Sequence, residues 1–239
     1  MRIRLPIGRS LLFLCVFLFS LIGLFPLRIA IDWLALDDAG FAAREAKGSV
    51  WLGAVSEAQF GSIALGDLQA SLRTFPLILG RARVDLSREE GADRLKGAIT
   101  VSRHSFGIDD ATSRLDIGSA LAPLPVASFD IEDVTARFAN GLCVSAEGRV
   151  KAGIAADVAG ISLPSGLSGN ARCQGTALLL PLVSQTGMEA LNLRLFGDGR
   201  YEAELAVRLT DAAIGARLLA AGFSAHADGA YTLRRQGRL

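Results

Sequence analysis

Two histidines, His104 and His226, are all the imidazole in this chain, and they lie far apart in the sequence. A metal site would need carboxylates or thiols converging on one of them. Asp109 and Asp110 follow His104 at a suggestive distance, yet Gly107-Ile108-Asp109-Asp110 reads more simply as a solvated turn. Ser168 sits in Ser165-Gly166-Leu167-Ser168-Gly169, which lacks the Gly-x-Ser-x-Gly spacing of a nucleophile elbow and reads as a loop. Gly197-Asp198-Gly199 lacks the third glycine of a dinucleotide fingerprint and is followed by a strand-like run. Glu89-Glu90 beside Gly91 reads as a charged turn, where solvent leaves both carboxylates ordinary. No catalytic, cofactor-binding or metal-ligating residue is therefore assigned, and the chain is not expected to be an enzyme.

Cysteine carries more information. Cys15 falls in an apolar run and behaves there as a small hydrophobe, whereas Cys143 and Cys173 each border a strand-like segment. If that part of the chain is exported, oxidation is permitted, and a Cys143–Cys173 disulfide is expected, with two buried thiols as the alternative.

The segment that decides export is the beginning. Arg2, Arg4 and Arg9 precede an almost unbroken apolar run from Ser10 to Leu27, closed by Arg28 and extended by Ile29, Ala30 and Ile31. About 20 apolar residues span a hydrocarbon core at 1.5 Å rise each. The run is long for a cleaved signal peptide, and Phe25-Pro26-Leu27-Arg28-Ile29 offers no small-x-small site. An uncleaved single-pass anchor over 10–31 is expected. The arginine excess before it places Met1 in the cytoplasm by the positive-inside rule. The expected organisation is a cytoplasmic tip at 1–9, the anchor at 10–31, a connector at 32–48 and a periplasmic β-rich domain at 49–239.

The exported part alternates with period two, the pattern of half-buried strands. Asp67 to Arg73, Arg81 to Ser87, Val134 to Phe138, Val144 to Val150, Leu191 to Leu195 and Tyr201 to Arg208 all show it, with Phe75-Pro76 in a turn-rich link between the first two. Gly197-Asp198-Gly199 suits a tight hairpin. The fold expected is mainly β, a curved antiparallel meander after one membrane helix. One short helix near the C-terminus runs from Asp211 to Ala221, capped by Thr210, with Ile214, Leu218 and Leu219 on one face and Gly222 ending it. Another helical turn or two is expected between Trp33 and Ala46. Trp51, between Gly48 and Gly53, is expected to play a structural part, packing across the first strand's end while its indole N–H finds one acceptor. Trp33 suits the membrane boundary.

Composition closes off one class. With 25 basic against 24 acidic residues, a formal net charge of +1, sparse aromatics and no basic stripe, the chain lacks a nucleic-acid footprint.

An ordered set of segments resembles the type II secretion system protein N family. They are Gly48-Ser49-Val50-Trp51-Leu52-Gly53, Leu68 to Arg73 leading into Phe75-Pro76-Leu77-Ile78-Leu79-Gly80-Arg81, Ala136 to Cys143, Gly169 to Cys173, Leu178 to Leu182, Gly197 to Tyr201, and Ala221-Gly222-Phe223. Gln69-Ala70 departs from the aromatic expected before the second strand. The resemblance implies an accessory inner-membrane component of general secretion in a Gram-negative bacterium. It would act by contact with inner-membrane platform proteins or the secretin. The Gly-Ser-Val-Trp element followed by long alternating strands is also similar to periplasmic AsmA-like proteins, which would imply lipid handling. Leu68, Leu72, Val84 and Leu86 discriminate: packed under a helix or second sheet they are core, lining an open groove they are a lipid surface.

Overall fold

The computed structural model describes residues 7–33, 40–61, 63–88, 94–118, 120–154, 166–209, 212–227 and 229–238. Two helices come first, α1 (Ile7–Gly23) and α2 (Leu27–Trp33). Strands follow: β1 (Phe41–Ala42), β2 (Glu45–Gly48), β3 (Gly53–Phe60) and β4 (Ile63–Leu72). After the short helix α3 (Thr74–Ile78) come β5 (Ala82–Arg88), β6 (Leu95–Val101), β7 (Ser105–Asp116), β8 (Val126–Ala139) and β9 (Leu142–Ile154). The chain continues through β10 (Gly166–Asn170), β11 (Arg172–Gln174), β12 (Ala177–Val183), β13 (Glu189–Leu195) and β14 (Arg200–Arg208). Helix α4 (Ala212–Ala220), β15 (Ser224–Ala225) and β16 (Ala230–Arg238) complete it.

All sixteen strands join one antiparallel sheet whose order follows the sequence almost throughout, so most strands pair with the next in the chain. Two departures are local. β1 and β2 both pair with β3 as successive pieces of one edge, and β10 and β11 both pair with β12. The last pair is inverted, with β16 against β14 and the two-residue β15 outside it.

The alternation in sequence becomes alternation in burial. In β14, Tyr201, Ala203, Leu205 and Val207 point inward while Glu202, Glu204 and Ala206 reach the surface. β12 is different: Ala177, Leu178, Leu179, Leu180 and Leu182 are all buried, as in a strand covered on both faces. The main core joins β8 to β16, with Leu218 of α4 and Ile117, Leu121 and Leu124 from the β7–β8 connection packed over it. Tyr201 anchors that connection by donating its hydroxyl to the Ala120 carbonyl at 3.1 Å. A smaller core at the other end packs Val55, Ala58 and Leu68 against Leu27 and Ile31 of α2.

Bulges bend the ladder. Glu57, Asp110 and Asp133 stand at φ of 50, 51 and 50° where the register slips. Each loses its ladder partner, and a neighbouring strand's side chain replaces it. Asp67 Oδ1 accepts from Glu57 N–H at 2.8 Å, Thr135 Oγ1 from Asp110 N–H at 3.1 Å, and Thr112 Oγ1 from Asp133 N–H at 3.0 Å. Opposite the Asp133 bulge, Gly148 adopts φ 107°, and a Cβ there would lie 2.5 Å from the Asp133 carbonyl oxygen.

Several expectations need correction. The apolar run 10–31 is two helices, because Pro26 has no N–H to continue the first; the Pro26 carbonyl instead starts α2 by accepting from Ala30 N–H at 3.3 Å. Among the described residues no helix is long and apolar enough to cross a membrane, α1 having 17 residues. The sheet starts before residue 49, since β1 and β2 lie within the expected connector. Gly107-Ile108-Asp109-Asp110 is no turn but the middle of β7, and Gly166 to Asn170 is strand β10 rather than loop, with Leu167 sealed in the core. The link around Phe75-Pro76 is helical. Helix α4 buries Leu218 and packs Ile214 against the core but leaves Leu219 at 49% exposure, because the i, i+4 stripe of 214 and 218 faces the sheet and position 219 lies about 100° round the helix. Thr210, Asp211, Glu89, Glu90, Gly91 and Ser165 lie outside the described residues.

Gly148→Ala should therefore destabilise the protein by about 1–3 kcal/mol through forced left-handed backbone and collision with β8. A urea titration of the full chain in detergent, followed by tryptophan fluorescence, measures it; a midpoint equal to wild type would contradict the account of the bulge.

Candidate functional site

The one deeply buried charge among the described residues is Asp109, 3% exposed. Alternation in β7 packs Ile108 against the apolar core and stacks Phe106, itself 42% exposed, on the buried Phe138 ring, so Asp109 falls on the opposite face. There Arg137 of β8 donates Nη2 at 2.8 Å and Nε at 3.2 Å to Oδ1. Arg83 of β5 donates Nη1 at 3.0 Å, and Thr100 of β6 its hydroxyl at 2.8 Å, both to Oδ2. Asp85 extends the cluster, accepting from Arg83 Nε at 3.3 Å and from Arg73 Nε. Gly107 makes room: a Cβ there would stand 3.0 Å from Arg137 Cγ, so a larger residue would obstruct the arm that reaches Asp109.

Burial raises the Asp109 pKa, but the hydrogen bonds from Arg137 and Thr100 and the charges of Arg137 and Arg83 outweigh it. The carboxyl is held below the usual carboxylate range. Both oxygens are occupied by donors from the protein itself, so the cluster clamps four strands together and presents no free base. The sequence hid it, because an Asp-Asp pair after glycine has the composition of a turn. The alternation of Phe106, Ile108 and Asp110 around it was the available signal.

The residues singled out from sequence do not converge. His104 is exposed in the β6–β7 hairpin, while His226 near β15 shares a 2.8 Å hydrogen bond with Thr232 Oγ1. Among the described residues no three histidine, cysteine or acidic side chains gather as metal ligands. Cys143 and Cys173 are joined by a disulfide with Cα atoms 5.5 Å apart. It sits where the β9–β10 ladder has stopped at Asn170↔Arg149 and β11 pairs only with β12, so it spans a gap in the sheet. Trp51 is half-buried and belongs to neither core. Its Nε1–H reaches back 29 residues to the Ile22 carbonyl at 2.9 Å, a second and shorter bond to an oxygen at the end of α1 that also accepts from Phe25 N–H at 3.3 Å. Beside it, Val50 N–H donates to Phe25 O at 3.0 Å and Ser49 bridges to Pro26.

Leu68 is core beneath α2, and Leu72, Val84 and Leu86 are half-buried side chains that line neither of the two principal clefts. Those clefts, about 470 and 330 Å³, are open hollows near β1 to β4 and α2 lined by residues such as Arg44, Glu57, Arg28 and Asp32. The described sheet thus has a structural junction, a charge clamp and a disulfide.

Residues 39–234 match the family described as Type II secretion system (T2SS), protein N, a span that takes in β1 to β15 and the first half of β16. The chain belongs to the type II secretion system protein N family. The protein named Type II secretion system protein N of Vibrio cholerae serotype O1 (strain ATCC 39315 / El Tor Inaba N16961) is similar to it. The two are 26% identical over 213 residues, covering 83% of this chain and 84% of that protein. No solved structure matches the chain.

Two predictions follow from the site. The Asp109 carboxyl, lowered when folded from an unfolded value of about 3.9, adds stability that is present above that value and lost as pH falls through the folded pKa. Asp109→Asn should cost roughly 1–3 kcal/mol at neutral pH and flatten the loss of stability below about pH 4; unfolding midpoints across pH test both, and an unchanged acid limb would contradict the clamp. Separately, non-reducing mass mapping of the membrane-extracted protein should find the Cys143 and Cys173 peptides linked. Removing the bridge by Cys143→Ala with Cys173→Ala should cost about 3–4 kcal/mol on the chain-entropy account. Free alkylation of both thiols without reductant would contradict it.

Proposed function

We propose that this protein is an accessory component of the type II secretion apparatus, held at the inner membrane by its N-terminal helices and acting through contacts of its sheet rather than by catalysis. The observation that carries this is the family match, which runs from β1 into β16. Folded proteins leave the periplasm through that apparatus, and the partners expected are its inner-membrane platform proteins and the secretin.

The anchoring has its own support. From Leu11 to Ile22 every side chain of α1 is exposed although most are large and apolar, a distribution suited to lipid and costly in water. At 1.5 Å per residue its 17 residues reach about 25 Å, short of the roughly 30 Å hydrocarbon core, so the rest of 10–31 would have to complete the anchor. Arg2, Arg4 and Arg9 on one flank orient it with the N-terminus inside. Residues 1–9 then lie in the cytoplasm, 10–31 in or against the membrane, 32–48 link the two parts while lending β1 and β2 to the sheet edge, and 49–239 fill the periplasmic domain. That compartment is oxidising, as the disulfide requires.

A periplasm-dependent phosphatase fused after Leu239 should be active in intact cells, and crosslinking there should recover platform or secretin subunits. A reporter active only in the cytoplasm, or normal secretion in a deletion strain with no secretion protein crosslinked, would overturn the assignment.

A further inference from the structure

We propose that the α3 hairpin, from Phe75 to Leu79, inserts into the bilayer leaflet from which α1 emerges and gives the sheet a second foothold on the membrane. This rests on α1 being a membrane helix.

Helix α3 contributes no buried residue, and its apolar side chains point away from the protein: Phe75 is 74% exposed, Ile78 82% and Leu79 66%. A hairpin between two strands normally needs two to five residues, mostly polar. Here Thr74-Phe75-Pro76-Leu77-Ile78-Leu79-Gly80 places apolar bulk at an exposed tip. The C-terminal half of that tip is closed on itself, while the first turn of α3 carries no side-chain cap. Leu79 N–H and Arg81 N–H both donate to Pro76 O at 3.0 Å, and Gly80 N–H donates to Leu77 O at 2.9 Å. Entry into hydrocarbon demands internally satisfied donors of this kind.

Position selects the occupant. Val50 N–H is bonded to Phe25 O at the end of the helical hairpin, and the Val50 carbonyl accepts from Leu72 N–H at 3.0 Å. Two backbone hydrogen bonds therefore separate the membrane helix from the residue that leads into α3. Leu52, in the same junction, is 79% exposed. The rim is basic: Arg81 at the loop and Arg28 just after Pro26 are exposed, and Arg73, exposed though paired with Asp85, lies beside them, where anionic phosphate headgroups would meet them. An apolar tip above a cationic collar, tied to the exit of an apolar helix, fits a lipid leaflet better than a protein groove.

The full chain with Cys15→Ala and Ile78→Cys, disulfide intact, would carry an environment-sensitive fluorophore at 78 and be reconstituted into phosphatidylethanolamine–phosphatidylglycerol vesicles with or without brominated acyl chains. Lys96→Cys is the control, exposed on β6 and five residues along that strand from Val101, which pairs with Ala82 at the foot of the loop. The expected result is flotation with vesicles, a blue-shifted emission at 78 and its loss in brominated vesicles, with neither change at 96. Flotation with an aqueous, unquenched label at 78 would overturn the foothold while leaving the anchor intact. Failure to float would overturn both. Quenching at 78 and 96 alike, or a blue shift without bromine quenching, as a second copy of the chain would give, would also overturn it.

Discussion

One long antiparallel hydrogen-bond ladder, interrupted at its bulges and beside the disulfide, supports this molecule, and its length forces the rest. A sheet of 16 strands cannot stay flat, because each pair adds a right-handed rotation and open sheets beyond about ten strands curl or split. Bending means surrendering ladder bonds at chosen places. An N–H stranded inside a sheet costs about 1–3 kcal/mol, so each bend needs a substitute acceptor. Thr112, Thr135 and Asp67 provide it, each reaching across to the strand that slipped. These polar side chains are components of the backbone network as much as of the surface.

What the sequence revealed tracks how strictly two-residue periodicity was kept. Leu191 to Leu195 and Tyr201 to Arg208 alternate cleanly and are strands β13 and β14. Asp109 was hidden because a carboxylate beside a second Asp and a glycine has turn composition, and only pairing with β8 shows that arginines wait on the far side. Gly166 to Asn170 was hidden for a related reason: glycines bracket Leu167 and Ser168, and local propensity lost to pairing with β9 on one side. Helix α3 escaped because five residues are too few for a helical period to register. The disulfide partners were legible by elimination and compartment, whereas the break in the ladder that they span became visible only from strand register.

Burial of a charge usually marks chemistry, and here it marks assembly. Asp109 has spent every strong acceptor direction on Arg137, Arg83 and Thr100, leaving nothing to offer a substrate. The C-terminal edge is guarded by Arg234, Arg235 and Arg238 on β16 and by the very short β15, which discourages indiscriminate strand addition.

The indole of Trp51 gives the molecule a mechanical property. A helix joined to a domain by free chain is a tether, and the domain can tumble without disturbing it. Here the terminal carbonyls of Ile22 and Phe25 are grasped by Trp51 and Val50, and α2 is wedged against Val55 and Leu68. The sheet and the end of α1 are joined by these hydrogen bonds as well as by the chain, which narrows the range of angles the two can adopt.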